Sequence, residues 1–123
     1  MLAPAVQESQ FQRLYILDAL VAGMHIGWGW SNRIEDCEFE LNYIGLVLTN
    51  ANNNVNVLNS IMVDNEVGMY IGSGLQLNIE GNVVEGNGGP GIVVFGCAPF
   101  IPHIYFTRNS QSKLMWTRAM FLT

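Results

Sequence analysis

Between Ile34 and Thr107 the chain contains no lysine and no arginine. Its five bases, Arg13, Arg33, Arg108, Lys113 and Arg118, stand against ten acids, for a net charge of −5. Phosphate neutralisation by basic side chains supplies most of the affinity for a polyanion, so nucleic-acid binding along the body of the chain is excluded. Long apolar runs are missing as well. The most apolar stretch, Leu14 to Trp30, is interrupted by Asp18, His25 and the glycines 23, 27 and 29, and is too broken to span a bilayer. The first residues, Met-Leu-Ala-Pro-Ala-Val-Gln-Glu, have neither the basic nor the apolar region of a signal peptide. No compartment follows from the sequence. Half of the 123 residues are apolar, which excludes disorder and places the chain as one folded domain.

What the sequence does have is a repeat. Glycines 23, 45, 68 and 91 fall at intervals of 22, 23 and 23. Each opens a unit of alternating apolar residues, a polar turn, a second apolar strand and an Asn before the next Gly. A short and regular period of this kind means a solenoid, in which each coil packs only on its neighbours. Aligned on the glycines, Met24, Leu46, Met69 and Ile92 form one column, and Ile26, Leu48, Ile71 and Val94 a second. In the next strand Ile34, Val57 and Ile79 align, then Cys37, Ser60 and Asn82, then Phe39, Met62 and Val84. Period-two alternation points the apolar columns inward and His25, Val47, Tyr70 and Val93 outward. Asn42, Asn65 and Asn87 make a further column, whose amides can satisfy turn groups that no sheet reaches.

The expected fold is all-β, a right-handed parallel β-helix of about four to five coils with short terminal caps. Residues 1–22 read as an N-terminal cap and irregular first coil, 23–109 as the repeats and 110–123 as a C-terminal cap or tail. Pro4 stands in the first turn of an expected short helix within residues 1–13. SQSKLMWTRAMFLT reads as a cap helix, with Ser110 or Ser112 at its N-cap and Leu114, Met115, Met120 and Phe121 facing inward. Two prolines in APFIPH, residues 98–103, predict a loop inserted into the fourth unit. Cys37 and Cys97, the only cysteines, sit two coils or more apart. At about 4.8 Å per coil that exceeds the roughly 7 Å between Cα atoms that a disulfide spans, so two unpaired thiols are expected.

The phrases Ile79-Glu-Gly-Asn-Val-Val-Glu-Gly-Asn and Gly91-Ile-Val-Val resemble the repeats of right-handed parallel β-helix proteins of the pectin-lyase-like superfamily, over roughly residues 23 to 109. That resemblance implies a fold. It does not assign chemistry, because the superfamily includes polysaccharide lyases, hydrolases and epimerases, phage tailspikes and noncatalytic proteins. The Asp-Pro-His-Glu of its alginate epimerases is absent here. So are the Asn-Thr-Asp, Asp-Asp, Gly-His-Gly and Arg-Ile-Lys of its polygalacturonases, and no Arg or Lys lies between Ile34 and Thr107 to serve as a lyase base.

Three outward sets remain. Glu38, Glu40 and Glu85 are the catalytic candidates, since Glu40 and Glu85 share a column with Val63 between them, roughly 10 Å apart along the stack. An inverting glycosidase needs carboxyls about 6.5 to 9.5 Å apart. Alternating acids on a strand are otherwise a solvated face. Glu35, Asp36 and Glu38 offer oxygen ligands of the kind that hold calcium, and no other cofactor is implied. His25, Trp28 and Tyr70 could form a strip that stacks on sugar rings; a filled turn or a partner's cover would use Trp28 and Trp30 equally well. Val47, Tyr70 and Val93 in one outer row, with Ile61 and Val83 in another beside Val63, would expose contiguous apolar surface that monomers seldom leave open. The leading expectation is therefore a noncatalytic interaction or scaffolding subunit that packs against other proteins in an assembly. A carbohydrate-binding module, or a divergent lyase- or hydrolase-like module acting on polysaccharide, is the alternative.

Overall fold

Alternating apolar residues repeated every 22 or 23 positions can satisfy both their backbone and their side chains by lying one above another. The computed structural model shows this arrangement. It describes residues 2–3, 6–27, 29–49, 53–72, 75–97, 104–107, 110–111 and 114–119. Three parallel sheets form its walls. The first stacks β1 (Leu2–Ala3), β5 (Ala22–Ile26), β9 (Ile44–Leu48), β12 (Val67–Ile71), β15 (Ile92–Cys97) and β18 (Leu114–Ala119) in that order. The second is built from β2 (Val6–Gln7), β3 (Gln10–Gln12), β6 (Gly29–Trp30), β7 (Arg33–Glu35), β10 (Asn53–Leu58), β13 (Leu75–Glu80) and β16 (Ile104–Thr107). The third stacks β4 (Tyr15–Leu17), β8 (Glu38–Glu40), β11 (Ile61–Val63), β14 (Val83–Glu85) and β17 (Ser110–Gln111). Among the described residues the strands trace five circuits, and β18 opens a sixth.

The expected columns are the observed files. Met24, Leu46, Met69 and Ile92 are in register across the first sheet, as are Ile26, Leu48, Ile71 and Val94. Ile34, Val57 and Ile79 stack in the second sheet, and Phe39, Met62 and Val84 in the third. All of these side chains are fully buried. Phe11, Leu14 and Ile16 pack on them from the first circuit.

Both expected cap helices are strands instead. Within residues 1–13 the described segments are β1, β2 and β3, with Leu2 opposite His25, Val6 opposite Gly29 and Phe11 opposite Ile34. At the other end Leu114 to Ala119 pairs with Ile92 to Cys97 over its whole length. The physical reason is the same at both ends. A solenoid terminus is a row of unpaired N–H and C=O groups, and a neighbouring segment gains more by joining that ladder than by closing its own turns. Ser110 accordingly lies in β17 rather than at a helix N-cap. Ser112, Met120, Phe121 and the loop at 98–103 lie outside the described residues. Cys37 is buried and unpaired; Cys97 lies three circuits on, in β15.

Two polar ladders clamp the corners. In one, the N–H groups of Ala19, Asn42 and Asn65 donate to the Oδ1 atoms of Asn42, Asn65 and Asn87 at 2.8, 2.9 and 2.9 Å. The Nδ2 groups of the same three asparagines donate back to Ile16, Phe39 and Met62 carbonyls at 3.1, 3.0 and 3.1 Å. In the other, Cys37 N–H donates to Ser60 Oγ, and Ser60 N–H to Asn82 Oδ1. Buried amides at the corners, which no sheet can pair, are satisfied this way.

Candidate functional site

On the outer face of the first sheet His25, Val47, Tyr70 and Val93 do stand in one file. The file is not an open apolar row. Val47 is only 7% exposed, which corrects its assignment to an exposed strip. His25 Nε2 lies 2.8 Å from Thr49 Oγ1, one rung on and two residues along. A Cβ built on Gly72 would lie 3.2 Å from both Tyr70 Cε1 and Thr49 Cγ2, which puts the Tyr70 ring beside the same threonine. With rungs about 4.8 Å apart, the longer side chains above and below a valine wall it in. Tyr70 and Val93 are half-buried. Trp28 lies outside the described residues. Trp30 belongs to the second sheet, opposite Gln7 and Asn53, and so is on a different wall from His25.

The outer face of the third sheet carries two files. One runs Tyr15, Glu38, Ile61 and Val83; the other Leu17, Glu40, Val63 and Glu85. Glu40 and Glu85 are two rungs apart with Val63 between them, as their spacing predicts. Ile61 is exposed, while Val63 and Val83 are half-buried. The Glu40 carboxylate is engaged across the rung, where the Tyr15 hydroxyl donates to its Oε2. That hydrogen bond, then desolvation, then the charges of Glu40 and Glu38, push the Tyr15 phenol up to about 12. Tyr15 is expected to ionise near pH 12 in an ultraviolet titration, and Glu40→Gln to return it toward the ordinary value of about 10. The shift favours the neutral phenol in the folded state. Any stability it confers is whole below pH 10 and is lost as pH rises toward 12. A transition near 10 in the native protein would show that Tyr15 and Glu40 are apart.

The remaining candidate acids are split by a corner. Glu35 lies in β7 and pairs with the Arg33 guanidinium at 2.5 Å. Asp36 occupies the corner in a left-handed conformation, φ 54°, and Glu38 begins β8, in the third sheet. Among the described residues no three His, Cys, Asp or Glu side chains converge on one point.

A family model described as the right-handed beta helix region matches residues 7–118. The chain belongs to the right-handed β-helix family. The parallel solenoid is consistent with the pectin-lyase-like superfamily, and strand pairing runs beyond residues 23–109 on both sides. Neither the curated proteins nor the solved structures gave a match.

The surface of this β-helix that sequence reasoning missed is the flank where the third sheet turns into the first. Leu17, Leu20, Val21, Leu41 and Tyr43 are all exposed there, Leu20 at 93% and Val21 at 73%. Backbone bonds align the two turns: Tyr43 N–H donates to the Ala19 carbonyl at 3.1 Å and Ile44 N–H to the Val21 carbonyl at 2.9 Å. The five side chains therefore belong to adjacent rungs. In later circuits the same turn holds Glu66, then Gly88 and Gly89, so the apolar patch is confined to the first two. The available signal was the column after Ala19 and Asn42, where two large apolar residues precede an acid and a glycine.

Proposed function

We propose that this β-helix is a noncatalytic interaction module that packs against another protein through the flank formed by Leu17, Leu20, Val21, Leu41 and Tyr43. The observation that carries the reading is the exposure of five large apolar side chains on two adjacent rungs. Such patches on soluble domains mark contact surfaces. A hydrolytic or lyase role finds less support, because Glu40 is occupied by Tyr15 and the run from Ile34 to Thr107 has no lysine or arginine.

A photo-crosslinking amino acid placed at Leu20 tests this in the source cell, with the same group at Asn56 on the second sheet as control. A discrete protein adduct from position 20, missing from position 56 and abolished by Tyr43→Asp, is the expected result. Tyr43 is exposed, so that substitution should cost no more than about 0.5 kcal/mol of stability. Matching adducts from both positions would overturn the assignment. Saturable binding of a glycan that Tyr70→Ala removes would move it to a carbohydrate-binding module on the first sheet.

A further inference from the structure

We propose that the occupant of this flank is a cationic amphipathic polypeptide segment, with apolar side chains that seat on Leu20, Val21 and Tyr43 and lysines or arginines at its edges. The inference rests on the interaction role above and adds the charge of the partner. Its ground is the border of the patch. Asp18 lies beside Leu17, Glu40 stands opposite Leu17 in the ladder, and Asp64 and Glu66 occupy the same turn one rung beyond Leu41 and Tyr43. Asp18, Asp64 and Glu66 are exposed. Of the chain's five bases, none lies between residues 34 and 107, the run that supplies Glu40, Asp64 and Glu66. An apolar centre inside a rim of a single sign fits a partner of the opposite sign, which steers the encounter and excludes like-charged competitors. A second copy docked by the same flank would bring two acidic rims of the same sign together.

Leu41 strengthens the case. It sits at φ 57°, at the corner that Asp18, Asp64 and Gly86 fill in the other circuits. Aspartate and glycine enter the left-handed region easily, whereas a leucine does not. Here it combines backbone strain with exposed apolar surface. Strain of this kind collects where a side chain is needed for contact, and an occupant that covers Leu41 removes the solvent exposure.

Fluorescein-labelled synthetic peptides provide the test, read by fluorescence anisotropy against the full chain. A leucine–lysine amphipathic peptide should bind saturably. A leucine–glutamate peptide of the same pattern should not, and a serine–lysine peptide should bind at least about tenfold more weakly. Leu20→Ser and Leu41→Asn should each weaken the leucine–lysine peptide by about tenfold. Leu41→Asn should do so while the melting temperature stays level or rises, because asparagine tolerates the left-handed corner. Asp18→Asn with Glu66→Gln should flatten the loss of affinity between low and high salt.

Equal binding of the leucine–glutamate peptide overturns the charge inference. So does binding that Leu20→Ser leaves intact, or self-association in the centrifuge that Leu20→Ser abolishes. If Leu20 cross-links a partner in the cell while these peptide results fail, the interaction role stands and only its cationic partner is lost.

Discussion

Gly68→Ala should cost this β-helix about 3 kcal/mol or more, at the upper end of what overpacking usually costs. A Cβ at position 68 would lie 2.5 Å from the Gly91 carbonyl oxygen, 2.5 Å from Val84 Cγ1 and 2.9 Å from Asn87 Nδ2. None of these can swing aside cheaply. The first is backbone of the next rung, the second is a core side chain, and the third holds the Met62 carbonyl. Relief requires the fourth and fifth circuits to part, which stretches the 2.8 Å bond from Met69 N–H to the Gly91 carbonyl. For a chain of this size the melting temperature should fall by on the order of 10 °C. Gly72→Ala is the matched control, since the tightest contacts of its Cβ would be the side-chain atoms Thr49 Cγ2 and Tyr70 Cε1, both at 3.2 Å, with the Leu48 carbonyl oxygen at an ordinary 3.6 Å. Its cost should stay at about 1 kcal/mol. Equal melting of the two variants would mean that the rungs do not approach as closely as described.

Asn65→Ala should be of similar size, by a different route. The Asn65 amide is 2% exposed; it accepts from Asn42 N–H at 2.9 Å and donates to the Phe39 carbonyl at 3.0 Å and to Asn87 Oδ1 at 3.2 Å. Truncation leaves a buried N–H and a buried C=O without partners. Each orphan costs about 1–3 kcal/mol, so a loss of about 2–6 kcal/mol is expected in chemical denaturation. Asn65→Asp separates hydrogen bonding from packing. Burial favours the neutral acid, which can accept from Asn42 and donate to Phe39, and raises the folded-state pKa above that of the unfolded chain. The aspartate variant should therefore be most stable below about pH 4 and lose stability as pH rises through the raised value. If it is no less stable at neutral pH than the native chain, the ladder is not what holds this corner.

The interior of the fold could be read from residue order because two periods coincide in it. Alternation of two along each strand and 22 or 23 between glycines leave one arrangement for Leu46, Met69 and Ile92. The ladder asparagines were legible for the same reason. Terminal segments were misread as helices because helix propensity is a local property, while the open edge they join belongs to the assembled stack. The outer surface was legible only in part. Alternation says that Val47 points outward, but its burial depends on the length of the side chains above and below, His25 and Tyr70. Leu20 and Val21 went unnoticed because the turn from Ala19 to Gly23 carries one residue more than the turn from Asn42 to Gly45. The extra residue falls where column alignment fails.

The asparagine clamps all point one way. A circuit holds its predecessor by accepting that neighbour's corner N–H and donating to its carbonyl, so each turn is locked only once the following one is in place. During synthesis, then, a newly emerged circuit stays unfastened for the time needed to make some two dozen more residues. Loss of material from the C-terminal side unlatches whatever was laid down just before it, whereas removal of the first circuit leaves every later latch closed.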